Sequence, residues 1–400
     1  MTTPNFDAPC TSDLSLQFSI STVCELLDKD RERIPTNEQI KAFLEKIPSH
    51  ASICKKTGQL SLSIQEIKNA LADSTCPEWY RERLSSPAAI LTIMKLFGSP
   101  HFRVQSEDFC LIAVTIHNCL IERWKLIAFA KDNCTMIRSI DFSQYITQWI
   151  REKTNFTEDE LEYATCLYEH KFSFFIDPML LKVYPVKDIL SSGFYQEMTN
   201  ALNTDDIDNW FSRKNFDYVL ATYKQLDLDC NGLISASELM TFSEFNPEFI
   251  GRVFAQTNVY DANGEMDFGG FCDFILAFQH ADTMAAWRYF FNIFDSDGDG
   301  FISLSDVRAL VCSLIDRLQA MNRADIFTMP DVDDLLTYEF WDVIGCANKE
   351  KISFRDICNS TMGTTFFRVL TDVDQFLKYD ERETQPQDDP AGPIEDRCYP

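Results

Sequence analysis

Two twelve-residue segments constrain this chain more than any other feature. The first, DLDCNGLISASE, puts Asp227, Asp229 and Asn231 at positions 1, 3 and 5, Gly232 at 6, Leu233 at 7, Ser235 at 9 and Glu238 at 12. The second, DSDGDGFISLSD, puts Asp295, Asp297, Asp299, Gly300, Phe301, Ser303 and Asp306 in the same register. Alternate residues of a tight loop point inward, so the oxygens at 1, 3 and 5 converge while glycine at 6 admits the sharp turn. Position 7 offers only its carbonyl, and a carboxylate at 12 closes the cage. An all-oxygen cage of this kind suits a hard divalent cation, Ca²⁺ above all.

Both segments read as EF-hand loops because helical patterns flank them. Phe216, Val219, Leu220, Tyr223 and Leu226 share one face ahead of the first loop, and Ser235 stands three residues before Glu238, the capping-box spacing that starts an exiting helix. Asp306 is one methylene shorter than the usual Glu, which predicts fewer oxygens on the ion and a second site that also accepts Mg²⁺. EF-hands pair through their eighth residues, and the two loops lie too far apart to pair with each other. Each therefore needs a silent partner. VYDANGEMDFGGF offers Gly264 and Met266 at positions 6 and 8, with Val259 and Gly270 unable to ligate, and KEKISFRDI offers Ile352. An earlier pair, stripped of ligands, is suggested by the loop exit Ile140-Asp141-Phe142 and by DPMLLKVYPVKD from Asp177 to Asp188, where Met179 and Leu181 replace oxygens.

The remainder of the chain reads as all-α: tandem, partly degenerate hand pairs in an elongated helical protein with short β links between paired loops. With 400 residues, 45% hydrophobic composition and 33 Phe, two or three packed modules are expected. The boundaries fall at 1–13 (disordered), 14–105 (helical, with breaks at Ser49, Gly58 and Ser85-Ser86-Pro87), 106–212 (degenerate hands), 213–380 (the two metal loops) and 381–400 (acidic, disordered). A net charge of −26 argues against nucleic acid and anionic membrane as partners. Cys110 to Ala130, the most apolar stretch, contains His117, Glu122, Arg123 and Lys125 and reads as a buried helix, not a membrane span. The 14 cysteines stand singly, without C-x-x-C, as reduced thiols do, and the N-terminus lacks a secretory pattern, so a cytoplasmic protein is expected. No phosphatase Cys-x₅-Arg, P-loop, G-x-S-x-G or H-E-x-x-H occurs. His117 and His170 fit a packed core, and Asp205-Asp206 and Asp333-Asp334 fit solvated faces or helix starts. An enzyme is not expected.

Six segments, in order, resemble the B″ regulatory subunits of protein phosphatase 2A: HKFSFFIDP with VKDIL, FDYVLATYKQLDLDCNGLISASEL, NGEMDFGGFCDFILA, AAWRYFFNIFDSDGDGFIS, KISFRDI and FFRVLTDVDQFLKYDERE, spanning 170 to 383. A fainter echo lies in CPEWYRERL at 76 to 84. The resemblance implies a calcium-binding regulator that docks on the phosphatase scaffold and catalytic subunits and directs them to phosphoprotein substrates. It carries over both metal loops, with Asp306 departing from the family's Glu, and adds nucleus, centrosome and cytoskeleton as addresses. An independent calcium sensor or cytoskeletal adaptor built on the same hands is the alternative.

Overall fold

The computed structural model describes residues 35–55, 58–97, 103–129, 136–203, 206–256, 264–321, 344–345 and 351–384. The expected disordered start 1–13, residues 385–400 of the expected disordered tail, the first half of the loop from Val259, and Asp333-Asp334 lie outside them; residues 381–384 of that tail instead close the helix Val373–Thr384. The described chain is mainly helical, and its strands are two to four residues long. It divides into two compact units, 1–221 and 222–400, with the division inside the helix Arg213–Leu226.

In the first unit, helix Asn37–His50 starts on a full capping box from Thr36 and Gln39 and buries Ile40, Phe43, Leu44 and Ile47 at its i, i+3, i+4, i+7 positions. The helix runs through Ser49, so the expected break falls two residues later, at Ala51, after Pro48 has removed a backbone donor. Three strands follow in the order Ser52–Ile53, Leu60–Ser63, Arg103–Gln105, all antiparallel, with helices Ile64–Ala72, Glu78–Leu84 and Pro87–Phe97 between the second and third. Sequence periodicity had indicated only helices here.

Helix Ser106–Phe129 then supplies Phe109, Ala113, Ile116 and Leu120 to the same core. It packs against Asn37–His50 on one side and against Ser139–Lys153 and Val186–Ser191 on the other. Being covered twice, it buries His117, Glu122 and Arg123 as well as its apolar residues. Two of these polar groups have side-chain partners: Asn37 Oδ1 lies 2.7 Å from His117 Nε2, and Tyr145 donates its hydroxyl to Glu122 at 2.7 Å. Among the described residues no helix is long and apolar enough to cross a membrane. The described cysteines are free thiols; burial pushes those of Cys76 and Cys110 up to about 11.

The second unit is built around phenylalanine. Phe278 lies 4.8 Å from Phe274 and 5.3 Å from Phe290, which stacks 5.5 Å from Phe367. Helices Phe268–Gln279, Met284–Phe294 and Gly363–Thr371 contribute these rings, Pro247–Gln256 adds Phe249, 6.1 Å from Phe278, and Leu304–Ala320 buries Leu310 and Leu314.

Candidate metal centres

The first loop follows Arg213–Leu226, whose Phe216, Val219, Leu220, Tyr223 and Leu226 are all buried. Asp227 accepts from the Asn231 N–H at 3.0 Å and the Gly232 N–H at 2.9 Å, and Asn231 Oδ1 accepts from Leu233 N–H at 2.7 Å. These bonds curl the backbone around the carboxylates. Gly232 sits at φ 86°, the left-handed conformation that glycine adopts without a Cβ clash. Glu238 closes the ring: Oε1 accepts from Leu228 N–H at 2.7 Å, and Oε2 from the N–H and hydroxyl of Ser235 at 2.8 and 2.7 Å. Burial raises its pKa, but these donors outweigh burial and hold the carboxyl below its ordinary range. Carboxylate oxygens of Asp227, Asp229 and Glu238 lie within 4.8 Å of one another, and Asn231 stands beside them on Asp229. The expected capping box is present and begins helix Ala236–Leu239.

In the second loop, oxygens of Asp295, Asp297 and Asp299 gather within 4.8 Å of one another. Asp306 is not in that group. Its Oδ2 accepts from the Ser303 N–H at 2.9 Å and hydroxyl at 2.6 Å, and its Oδ1 accepts the hydroxyl of Ser296. The shorter side chain is thus held at the helix N-terminus, whereas Glu238 reaches both cap and cage. Burial raises the pKa of Asp295, whereas at Asp306 the serine donors outweigh burial and lower it. Both donor sets contain only oxygen and are rich in carboxylate, which fits a hard cation such as Ca²⁺.

Each metal loop has the partner its sequence calls for. Ile234 and Met266 exchange two backbone hydrogen bonds, both 2.8 Å, and Ile302 pairs with Ile352 in the strand pair Phe301–Ser303 and Lys351–Ser353. The degenerate pair is linked the same way, Ile137 opposite Tyr184. There Asp177 accepts from the N–H groups of Leu181 (2.9 Å) and Lys182 (2.6 Å), the same offsets at which Asp227 accepts from Asn231 and Gly232, but Met179 and Leu181 bring no side-chain oxygen to the loop.

A fourth pair went unread in the sequence. Leu62 stands opposite Val104, with Ser63 and Glu66 forming a capping box just as Ser235 and Glu238 do. The signal was present: an apolar residue, then Ser, then an acid three positions on recurs at Leu62-Ser63-Glu66, Ile234-Ser235-Glu238, Ile302-Ser303-Asp306 and Ile352-Ser353-Asp356. At Leu62 it lacks acids at the front of the loop.

Sequence spacing also hid how the second unit is tied together. The segment leaving the first hand carries Asn246, fully buried, whose Nδ2 donates to Leu310 O (3.0 Å) and Leu370 O (2.8 Å). Arg252, on Pro247–Gln256, donates to Phe294 O (3.0 Å), immediately before the second loop, and to Asp306 O (3.1 Å), at its end. Its Nη1 lies 3.9 Å from Asp306 Oδ1.

Known proteins resemble this chain. An EF-hand domain model matches residues 286–314, which include the second loop. The gamma subunit of the B″ regulatory subunits of protein phosphatase 2A from Homo sapiens is 28% identical over 258 residues, covering 62% of this chain and 55% of that protein. The probable B″ subunit TON2 of Arabidopsis thaliana is 29% identical over 228 residues, covering 53% of this chain and 46% of TON2. This chain is similar to the B″ regulatory subunits. It spans about half the length of the curated relatives it matches. A chain of a solved PP2A PR70 holoenzyme, in its diCa form, superposes with a TM-score of 0.54 at 20% identity, covering 64% of this chain and 98% of that one, and so shares the fold.

Proposed function

We propose that this chain is a calcium-binding, B″-type regulatory subunit of protein phosphatase 2A, which docks on the scaffold and catalytic subunits and steers them to phosphoprotein substrates, in the cytoplasm by default. The observation that carries the reading is the likeness to B″ subunits, 28% identical over 258 residues. The order of paired hands, each metal loop backed by a ligand-poor partner, supports it. The named relatives are regulatory and not catalytic subunits, so hydrolysis of the phosphoester is assigned to the partner, not to this chain.

Asp227, Asp229, Asn231 and Glu238 would hold the first cation, and Asp295, Asp297 and Asp299 the second, with Asp306 as its fourth carboxylate. A bound divalent cation supplies the positive charge that these clustered carboxylates otherwise lack. The chain supplies the rest: Ser235 and Ser303 orient the closing acids, and Asn246 and Arg252 join the exit of the first hand to the helices around the second. An adaptor role without a phosphatase is the competing reading, since this chain spans only about half of those relatives.

Capture of the tagged full chain from its own cell extract, with free Ca²⁺ and with chelator, tests the proposal. Recovery of scaffold and catalytic subunits in calcium-dependent amounts is expected. Recovery of neither, under both conditions, overturns the phosphatase reading and favours the adaptor.

A further inference from the structure

In three of the hand pairs, the residue just before the link residue of the second hand reaches into the loop of the first. Arg103, before Val104, donates to Glu66 at 2.9 Å. Glu265, before Met266, accepts from Asn231 Nδ2 at 3.2 Å. Lys351, before Ile352, donates to Asp299 Oδ2 at 2.5 Å. The three side chains occupy one structural position and differ in charge. In the first pair the guanidinium sits on the closing carboxylate itself and also grips Ser61 O at 2.6 Å and Ser52 Oγ at 2.7 Å, binding the loop together with no cation from solution.

At the two metal loops the same position takes opposite signs. The first loop has three carboxylates, and Glu265 brings a fourth negative charge to Asn231. The second has four aspartates, and Lys351 answers one of them. The ammonium competes with a cation for Asp299, whose Oδ1 already accepts from Phe301 N–H at 2.9 Å. Its stem is steadied by the Phe301 ring, 5.3 Å from the ammonium.

We propose that the ligand-poor hand of each pair sets the cation affinity of its metal loop through this one side chain, Glu265 strengthening the first site and Lys351 weakening the second. The two sites then fill in sequence as Ca²⁺ rises, the first loop ahead of the second, although the second carries more carboxylates of its own. This inference rests on the calcium reading of both loops.

Calorimetric titration of the full chain with CaCl₂ and then MgCl₂ tests it, each loop being measured with the other disabled: Asp227→Ala with Glu238→Ala for the second, Asp295→Ala with Asp299→Ala for the first. A unit charge at a partly exposed site a few ångströms from a divalent ion changes affinity by roughly three- to tenfold. Lys351→Met should tighten the second loop by that factor, Lys351→Glu by more, and Lys351→Arg should leave it unchanged. Glu265→Gln should weaken the first loop by the same factor and Glu265→Lys by more, both effects shrinking as salt rises. Thermal melts show that each variant is folded. Affinities within twofold across both series, with ions still bound, overturn the charge-tuning proposal and leave the calcium reading intact. A wild-type chain that takes up no Ca²⁺ overturns the calcium reading itself and this inference with it.

Discussion

Replacing Arg252 with Met should cost the second unit about 3 to 5 kcal/mol. Arg252 is 7% exposed, and its two terminal nitrogens each donate to a backbone carbonyl, Phe294 O and Asp306 O. Phe294 is the last residue of helix Met284–Phe294, so its carbonyl lies beyond the intrahelical ladder and depends on an outside donor. Asp306 lies in the first turn of Leu304–Ala320, where the ladder offers its carbonyl a second donor. Methionine fills most of the arginine stem's volume, which leaves the lost polar contacts as the main cost. Two charge-assisted bonds are worth about 1.5 to 3 kcal/mol each, less what the Asp306 carbonyl recovers from its helix. Arg252→Lys should lose about half as much, because one ammonium on a flexible stem cannot span both carbonyls as a planar fork does. Urea unfolding in chelator, followed by circular dichroism, measures this as a lower midpoint at unchanged slope. If Arg252→Met lies within 1 kcal/mol of wild type, ~1 being far below the range expected, the arginine does not tie the two hands and the coupling is refuted.

Four further outcomes are expected. Asp227→Ala combined with Glu238→Ala should remove one bound ion from the calorimetric stoichiometry, because too few oxygens remain in the first loop. Separately, Glu238 is held below its ordinary pKa, so the stability it contributes is complete above the unfolded value and is lost as pH falls through the folded one. Glu238→Gln should therefore flatten the acid limb of the unfolding curve in chelator. Asp306→Glu should bring the closing carboxylate within reach of Asp295, Asp297 and Asp299 and tighten Ca²⁺ relative to Mg²⁺; unchanged selectivity would mean that position 12 does not ligate. Asn246→Ala should destabilise the second unit by about 2 kcal/mol, seen in the same urea assay, since it strips a donor from two buried carbonyls.

What could be read from the sequence follows from how each feature is encoded. A metal loop is written locally: five oxygen positions and a glycine within twelve residues, each with its own chemical reason, so Asp227 to Glu238 and Asp295 to Asp306 stand out without any tertiary information. The link residues Met266 and Ile352 were legible because pairing demands an apolar residue at a fixed offset. The hand pair around Leu62 and Val104 was not, because Lys55, Thr57 and Gln59 stand where the metal loops carry acids or Asn, and only the apolar-Ser-x-x-acid ending persists.

That ending survives for a physical reason independent of metal. The serine and the acid satisfy each other's backbone donors and start the exiting helix in four of the hands, with or without a full set of ligands beside them. The link and the cap are thus the folding half of the hand, and the acids at positions 1, 3 and 5 are the binding half. The fold needs only the first half, so the second can be discarded, as at Leu62, or tuned from across the pair. Arg103, Glu265 and Lys351 show where that tuning enters. A position that faces the neighbouring loop but takes no part in the link is free to carry either charge, and no local pattern in the sequence reveals which loop it will meet.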